Sequence, residues 1–195
     1  MRRFLLAWEY GDPGRGREQC ALARALRDRG HVALLAFVNL ATLASEPLED
    51  IEWVQAPRLA RPDTPAAAPL DNSDLLIALG FGDAPALAGV LTGWTALARL
   101  WRPDVLVANH APAAMLAARL SGIACVVAGS GALAAPLPGD AARNARLMLA
   151  VRGACERQRE KARIPTEARE LFEADAHVPG GGPDAIERIE GVGKL

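Results

Sequence analysis

A chain of 195 residues, 51% hydrophobic and 23% charged, has the composition of an ordinary globular protein and is long enough for one good-sized core or a domain with an appendage. Its 22 Lys and Arg against 23 Asp and Glu leave a net charge of −1, which gives no electrostatic footprint for nucleic acid or for an anionic membrane surface. Cys20, Cys125 and Cys155 form no metal-like pair and leave an odd thiol in any disulfide scheme, so reduced and mostly buried cysteines are expected. The opening apolar run stops at Glu9, too early for a signal-peptide core, and no stretch approaches the ~20 residues that span a bilayer. A cytoplasmic protein without a membrane span is the expectation.

The first predicted strand covers residues 4–8. It ends in Glu9-Tyr10-Gly11-Asp12-Pro13-Gly14-Arg15-Gly16, whose glycines and proline predict a tight loop. A helix is expected over residues 17–29, with Leu22, Ala23 and Leu26 on one face and Arg24, Arg27 and Asp28 on the other. Gly30 closes it, and residues 32–38 form a second apolar strand. Residues 53–55 suit a short third strand. Four prolines and a run of alanines mark 56–70 as an irregular surface loop. A short helix is expected over 74–79. The longest element follows, over about 83–101, where Leu87, Val90, Leu91, Trp94, Leu97, Ala98 and Trp101 make one apolar stripe at helical spacing. Asp83 is its expected N-cap, and the two tryptophans are expected in the core.

Residues 105–108, Pro112 opening a helix, Ser121-Gly122 stopping it, and residues 124–128 form a complete βαβ unit. Both strands are apolar throughout, as strands of a parallel sheet buried on two faces should be. A helix from about residue 140 into the charged stretch 156–161 and another over 166–173 complete the elements. The stretch Pro179-Gly-Gly-Gly-Pro183 is a linker, and the Gly-Val-Gly near the end looks like the first half of a helix-hairpin-helix without its second half. Residues 1–178 are therefore expected to form one domain and 179–195 a linker and tail. The fold class is α/β, a Rossmann-like, doubly wound, mostly parallel sheet with helices on both faces.

Asn109 and His110 are expected just past the carboxyl end of a parallel strand, where open α/β sheets bind ligands. Gly14-x-Gly16 before a helix offers backbone N–H groups, but position 19 is Gln where a dinucleotide fingerprint needs a third glycine. Gly129, Ser130 and Gly131 open another loop at the same edge. No zinc spacing, P-loop or serine nucleophile elbow is present, so no metal and no cofactor is expected.

Gly14-Arg-Gly16 ahead of a helix ending Arg27-Asp-Arg-Gly-His31 resembles the opening of GT-B glycosyltransferases that use nucleotide sugars. Leu79-Gly80-Phe81, the tryptophan-bearing helix, Arg102-Pro-Asp104, Asn109-His-Ala-Pro112 and Ala117-Ala-Arg119 are similar to the bacterial branch of that family. The resemblance runs from residue 3 to about 177. It implies the amino-terminal, acceptor-binding half of a two-domain enzyme, with a small-molecule acceptor as ligand. A nucleotide-sugar donor would bind only with a carboxyl-terminal domain, in the same protein or on a separate donor-domain subunit. Gly14, Gly16, Phe81, Gly129, Ser130 and Gly131 would lie toward substrate. Many members place a general-base His after the second glycine and an orienting Asp at the later strand end. Arg17 and Asn109 stand at those positions here. A guanidinium cannot accept a proton at neutral pH and an amide cannot stabilise an imidazolium as a carboxylate does. His110 and Glu18 are the remaining candidates for acid–base work. The expectation is a glycosyltransferase-like protein that is inactive or weakly active alone; the alternative is a non-catalytic binding module of the same fold.

Overall fold

The computed structural model describes residues 1–10, 13–43, 46–48, 50–60, 72–128 and 141–162. The elements are β1 (Arg3–Trp8), α1 (Pro13–Asp28), β2 (Val32–Phe37), a 3-10 turn (Leu40–Leu43), β3 (Glu52–Gln55), α2 (Asn72–Leu76) running into a wide π turn (Ile77–Phe81), α3 (Ala84–Trp101), β4 (Val105–Asn109), α4 (Pro112–Ser121), β5 (Ala124–Val127) and α5 (Ala141–Ala162). Among the described residues the sheet has five strands in the order β3-β2-β1-β4-β5, every pairing parallel. The four apolar strands expected at residues 4–8, 32–38, 105–108 and 124–128 lie side by side, with the short third strand added outside β2.

Strand alternation decides what each face meets. Phe4, Leu6, Trp8, Leu35, Phe37, Val105 and Val107 point to the face covered by Cys20, Ala23 and Leu26 of α1. Leu5, Ala7, Leu34, Ala36, Leu106 and Ala108 point to the other face, covered by α3 and α4. Both faces of β1 are therefore dry, which is why its sequence is apolar at every position and not alternating. Leu87, Leu91, Trp94, Ala98 and Trp101 of α3 are buried as the stripe predicts. Burial of each such large side chain contributes ~1.5–3 kcal/mol. The Asp83 carboxylate accepts the Ala86 N–H at 3.0 Å, the expected cap.

Three boundaries differ from the sequence reading. α1 starts at Pro13, not residue 17, so Gly14 and Gly16 belong to its first turns and not to a loop. Pro at the first helical position has no N–H to lose and a φ already suited to the helix, which lets the turn start ahead of the glycines. Asn109 is the last residue of β4, in register with Trp8, and not beyond the strand. The short helix expected over 74–79 is α2 followed by the π turn. The break comes at Gly80, whose φ of 97° lies in the left-handed region. A Cβ there would stand 3.0 Å from the Ala60 carbonyl oxygen. Gly80→Ala is expected to cost ~1–3 kcal/mol from backbone strain and this close approach, read as a lowered urea midpoint; an unchanged midpoint would show that the turn relaxes. The helix expected over 166–173, the 179–183 linker and the end of the chain lie outside the described residues.

Candidate functional site

The chain leaves β1 toward β2 on one side and reaches β4 on the other, so the strand order reverses between β1 and β4. Open α/β sheets bind ligands at such a switch point, outside the carboxyl ends of the strands. Here the switch point is lined by Trp8 and Glu9 at the end of β1 and by Asn109 and His110 at the end of β4. The Tyr10 N–H donates to the His110 carbonyl at 3.1 Å, tying the two exits together. His110 has a φ of 48°, an uncommon conformation for a residue with a Cβ, in a tight turn between β4 and α4.

Glu9 is the residue that sequence reading passed over. It is 5% exposed. α4 begins without a side-chain cap, because Ala111 occupies the cap position. The Glu9 carboxylate supplies what that alanine lacks: Oε1 accepts the Ala114 N–H at 2.8 Å and Oε2 the Ala113 N–H at 3.2 Å. Burial pushes its carboxyl group up from 4.5 to about 8, opposed by these two N–H groups and by the nearby Trp94 indole. That indole nitrogen makes no hydrogen bond of acceptable geometry, so it acts on Glu9 by proximity. The signal that could have found Glu9 is its position. It follows directly on an all-apolar parallel strand, the same reasoning that singled out Asn109 and His110.

On the α1 face of the same edge lies a second group of buried polar atoms. Among the described residues, the Trp8 indole N–H, Asn109 Oδ1 and both polar atoms of the Gln19 side chain find no hydrogen-bond partner. Trp8, Asn109 and Gln19 are 3%, 2% and 1% exposed. Each unpartnered buried group costs ~1–3 kcal/mol, and such costs concentrate where a site matters more than stability.

The other candidates are placed as follows. Arg17 is not directed at Asn109: its Nε is 3.4 Å from Glu46, which also sits 3.6 Å from Arg24. Glu46 belongs to the β2–β3 connection, on the far side of β1 from β4. Glu18 is exposed, as is Gly14, whereas Gly16 is buried. Phe81 is 1% exposed and packs in the core on the α3 face, so its ring offers a ligand almost no surface. Gly129, Ser130 and Gly131 lie outside the described residues. The structure thus brings Asn109 and His110 to one edge, without a described contact joining Arg17 or Glu18 to them.

Residues 57–60 after β3 and the first half of α3 line an open groove of about 400 Å³, formed by Pro57, Arg58, Leu59, Ala60, Ala86 and Val90 and by none of the switch-point residues. It is mostly apolar with one cationic side chain. Among the described residues no cluster of three His, Cys, Asp or Glu could hold a metal ion. The three cysteines are free. Burial pushes the thiols up, Cys20 and Cys155 to about 11 and Cys125 to about 12, so none is a ready nucleophile. No single described helix is long and apolar enough to cross a membrane.

The fold belongs to the Rossmann-like α/β class, with a switch point between β1 and β4. Among solved structures it is similar to the glycosyltransferase SnogD from Streptomyces nogalater, with a TM-score of 0.52 and 21% identity over 81% of this chain and 41% of that one. It is also similar to CalG4, the calicheamicin glycosyltransferase, with a TM-score of 0.50 and 17% identity over 89% of this chain and 46% of that one. The chain spans less than half the length of these structures. The likeness is one of fold, that of the Rossmann-like sheet in GT-B glycosyltransferases, as the sequence resemblance implied. No protein-family model and no curated protein sequence matches the chain.

Proposed function

We propose that this chain is the acceptor-binding unit of a glycosyltransferase-like protein and holds a small, largely apolar acceptor at the carboxyl edge of its sheet. The observation that carries the reading is the β1–β4 switch point, and an open, mostly apolar groove of about 400 Å³ between residues 57–60 and the first half of α3 offers room for an apolar acceptor. The fold likeness to glycosyltransferases over less than half of their length supports sugar transfer as the chemistry served. In this reading residues 1–178 are the acceptor-binding domain, 179–195 are a linker and tail, and donor recognition belongs to a second domain, in the same protein or on a partner subunit. Asn109 and His110 line the acceptor's reacting end, and Arg17 and Glu18 stand near the first turns of α1.

A second reading, a binding module without catalysis, is favoured by the side chains at the proposed base and orienting positions. The Arg17 guanidinium is engaged by Glu46, and Asn109 carries an amide where a carboxylate would be needed. A nucleotide-binding Rossmann enzyme fits less well. The first backbone N–H groups of α4, which would otherwise receive a phosphate, are already taken by Glu9.

Calorimetric titration of this chain with several nucleotide diphosphate sugars is expected to give weak binding or none. Micromolar affinity for any of them would place donor recognition in this domain and overturn the division of labour proposed here.

A further inference from the structure

We propose that Glu9 is a positioning residue: its carboxyl group, seated on the first N–H groups of α4, sets the geometry of the Asn109–Pro112 turn and so the placement of Asn109 and His110 at the ligand edge. The inference deepens the acceptor-site reading and rests on it for the importance of that turn.

The geometry is specific. Glu9 lies 104 and 105 residues from the two N–H groups it accepts, at 3.2 and 2.8 Å. One residue further on, the Tyr10 N–H holds the His110 carbonyl at 3.1 Å. Two consecutive residues leaving β1 therefore grip both sides of the turn, Tyr10 at its start and Glu9 just past its end. That turn contains His110 at a φ of 48° and a helix start whose own cap residue is alanine. Backbone in the left-handed region persists at a residue with a Cβ only where its surroundings hold it. Ala111 and Pro112 contribute no side-chain hydrogen bond to do so, and the Glu9 carboxyl does.

The grip is also sensitive to a proton. Two N–H donors on two carboxyl oxygens favour the carboxylate, as does the positive end of the helix dipole. Burial favours the acid and outweighs them. The Trp94 indole faces the group from α3 and the Ala113 and Ala114 N–H groups from α4; His110 is the titratable side chain of the adjoining turn. Ionisation strengthens both bonds to α4, so the turn is gripped more firmly as the pH rises.

The test is nuclear magnetic resonance on the full chain, with no ligand present. The backbone amides of His110, Ala113 and Ala114 should share one pH transition with a midpoint near 8. That transition should be absent in Glu9→Gln and retained in His110→Asn, since asparagine tolerates the left-handed backbone. Glu9→Gln keeps one acceptor oxygen and should largely keep slow hydrogen exchange at Ala114. Glu9→Leu should speed exchange at Ala113, Ala114 and His110 roughly tenfold, as loss of a helix cap does, with β1 and β2 unchanged. A transition that survives Glu9→Gln, or exchange in Glu9→Leu that rises equally across the sheet, would overturn the proposal. If Glu9→Leu does not fold, the Glu9→Gln titration decides alone. Because no ligand is used, a failed sugar-transfer assay leaves this result standing, and a failure here leaves the transfer assay open.

Discussion

Arg17→His combined with Asn109→Asp is expected to raise acceptor-dependent release of nucleoside diphosphate by ~10²–10⁴-fold when a donor domain is supplied in trans, the usual worth of a positioned general base. Transfer of a sugar to a hydroxyl needs a group that removes the proton, and neither a guanidinium nor an amide does so at neutral pH. Each single change should do much less, because a base and its orienting carboxylate act as a unit. The structure adds a physical reason for the non-additivity. Asn109 is 2% exposed and its Oδ1 has no partner. Asp at that position without an imidazole nearby would be an uncompensated buried charge, a cost of ~3–5 kcal/mol or a carboxyl that stays protonated and idle. Arg17→His alone removes one of the two guanidiniums beside Glu46 and leaves Arg24 in place, a surface change of ~0–1 kcal/mol. A double variant no faster than the better single variant would show that positions 17 and 109 do not meet across the acceptor. Brisk turnover by the unmodified chain, abolished by His110→Ala, would move the base to His110.

Conformational stability is expected to fall as the pH rises from about 4.5 toward 8, and Glu9→Gln is expected to remove most of that fall. The folded chain holds the Glu9 carboxyl group at about 8, against 4.5 as its ordinary value. Between these values the folded state binds the proton more tightly than the unfolded chain does. Stability therefore declines with pH throughout that window and levels off above 8. Each unit of difference is worth ~1.4 kcal/mol, so the decline is on the order of 5 kcal/mol over the window from 4.5 to about 8. The measurement is the urea midpoint of both forms at several pH values between 4 and 9. In Glu9→Gln the curve should be nearly flat over this range, and the variant should exceed the wild type at pH 8. Equal slopes in the two proteins would place the titrating group elsewhere.

What could be read from the sequence follows from burial. β1, β2 and β4 are parallel strands covered on both faces, and this requires unbroken apolar runs, which is what residues 4–8, 32–38 and 105–108 display; β5, outermost in the described sheet, is apolar but half-buried. The α3 stripe was legible for a similar reason: one face of a helix recurs every three to four residues, so Leu87, Leu91, Trp94, Ala98 and Trp101 announce their own burial. Local caps and stops were legible too, since Asp83 acts on a backbone N–H three residues away. Even Asn109 and His110 needed only the strand's direction to be placed at the carboxyl edge of the sheet.

The remainder depended on contacts that no local pattern encodes. Glu9 caps a helix more than a hundred residues further along, and its own neighbourhood gives no hint of that partner. Arg17 is drawn toward Glu46 because the β2–β3 connection comes to lie beside α1, a matter of loop placement and not of spacing. Phe81, a candidate for substrate contact by resemblance, lies in the core because the chain bends at Gly80 immediately before it. Periodicity states which face of an element is hidden from water, since the hydrophobic effect is non-directional and acts on every apolar group alike. It does not state which distant group each polar atom finds there. Hydrogen bonds and ion pairs are directional and few, and their partners are chosen only when the sheet order β3-β2-β1-β4-β5 brings separate stretches of chain to one edge.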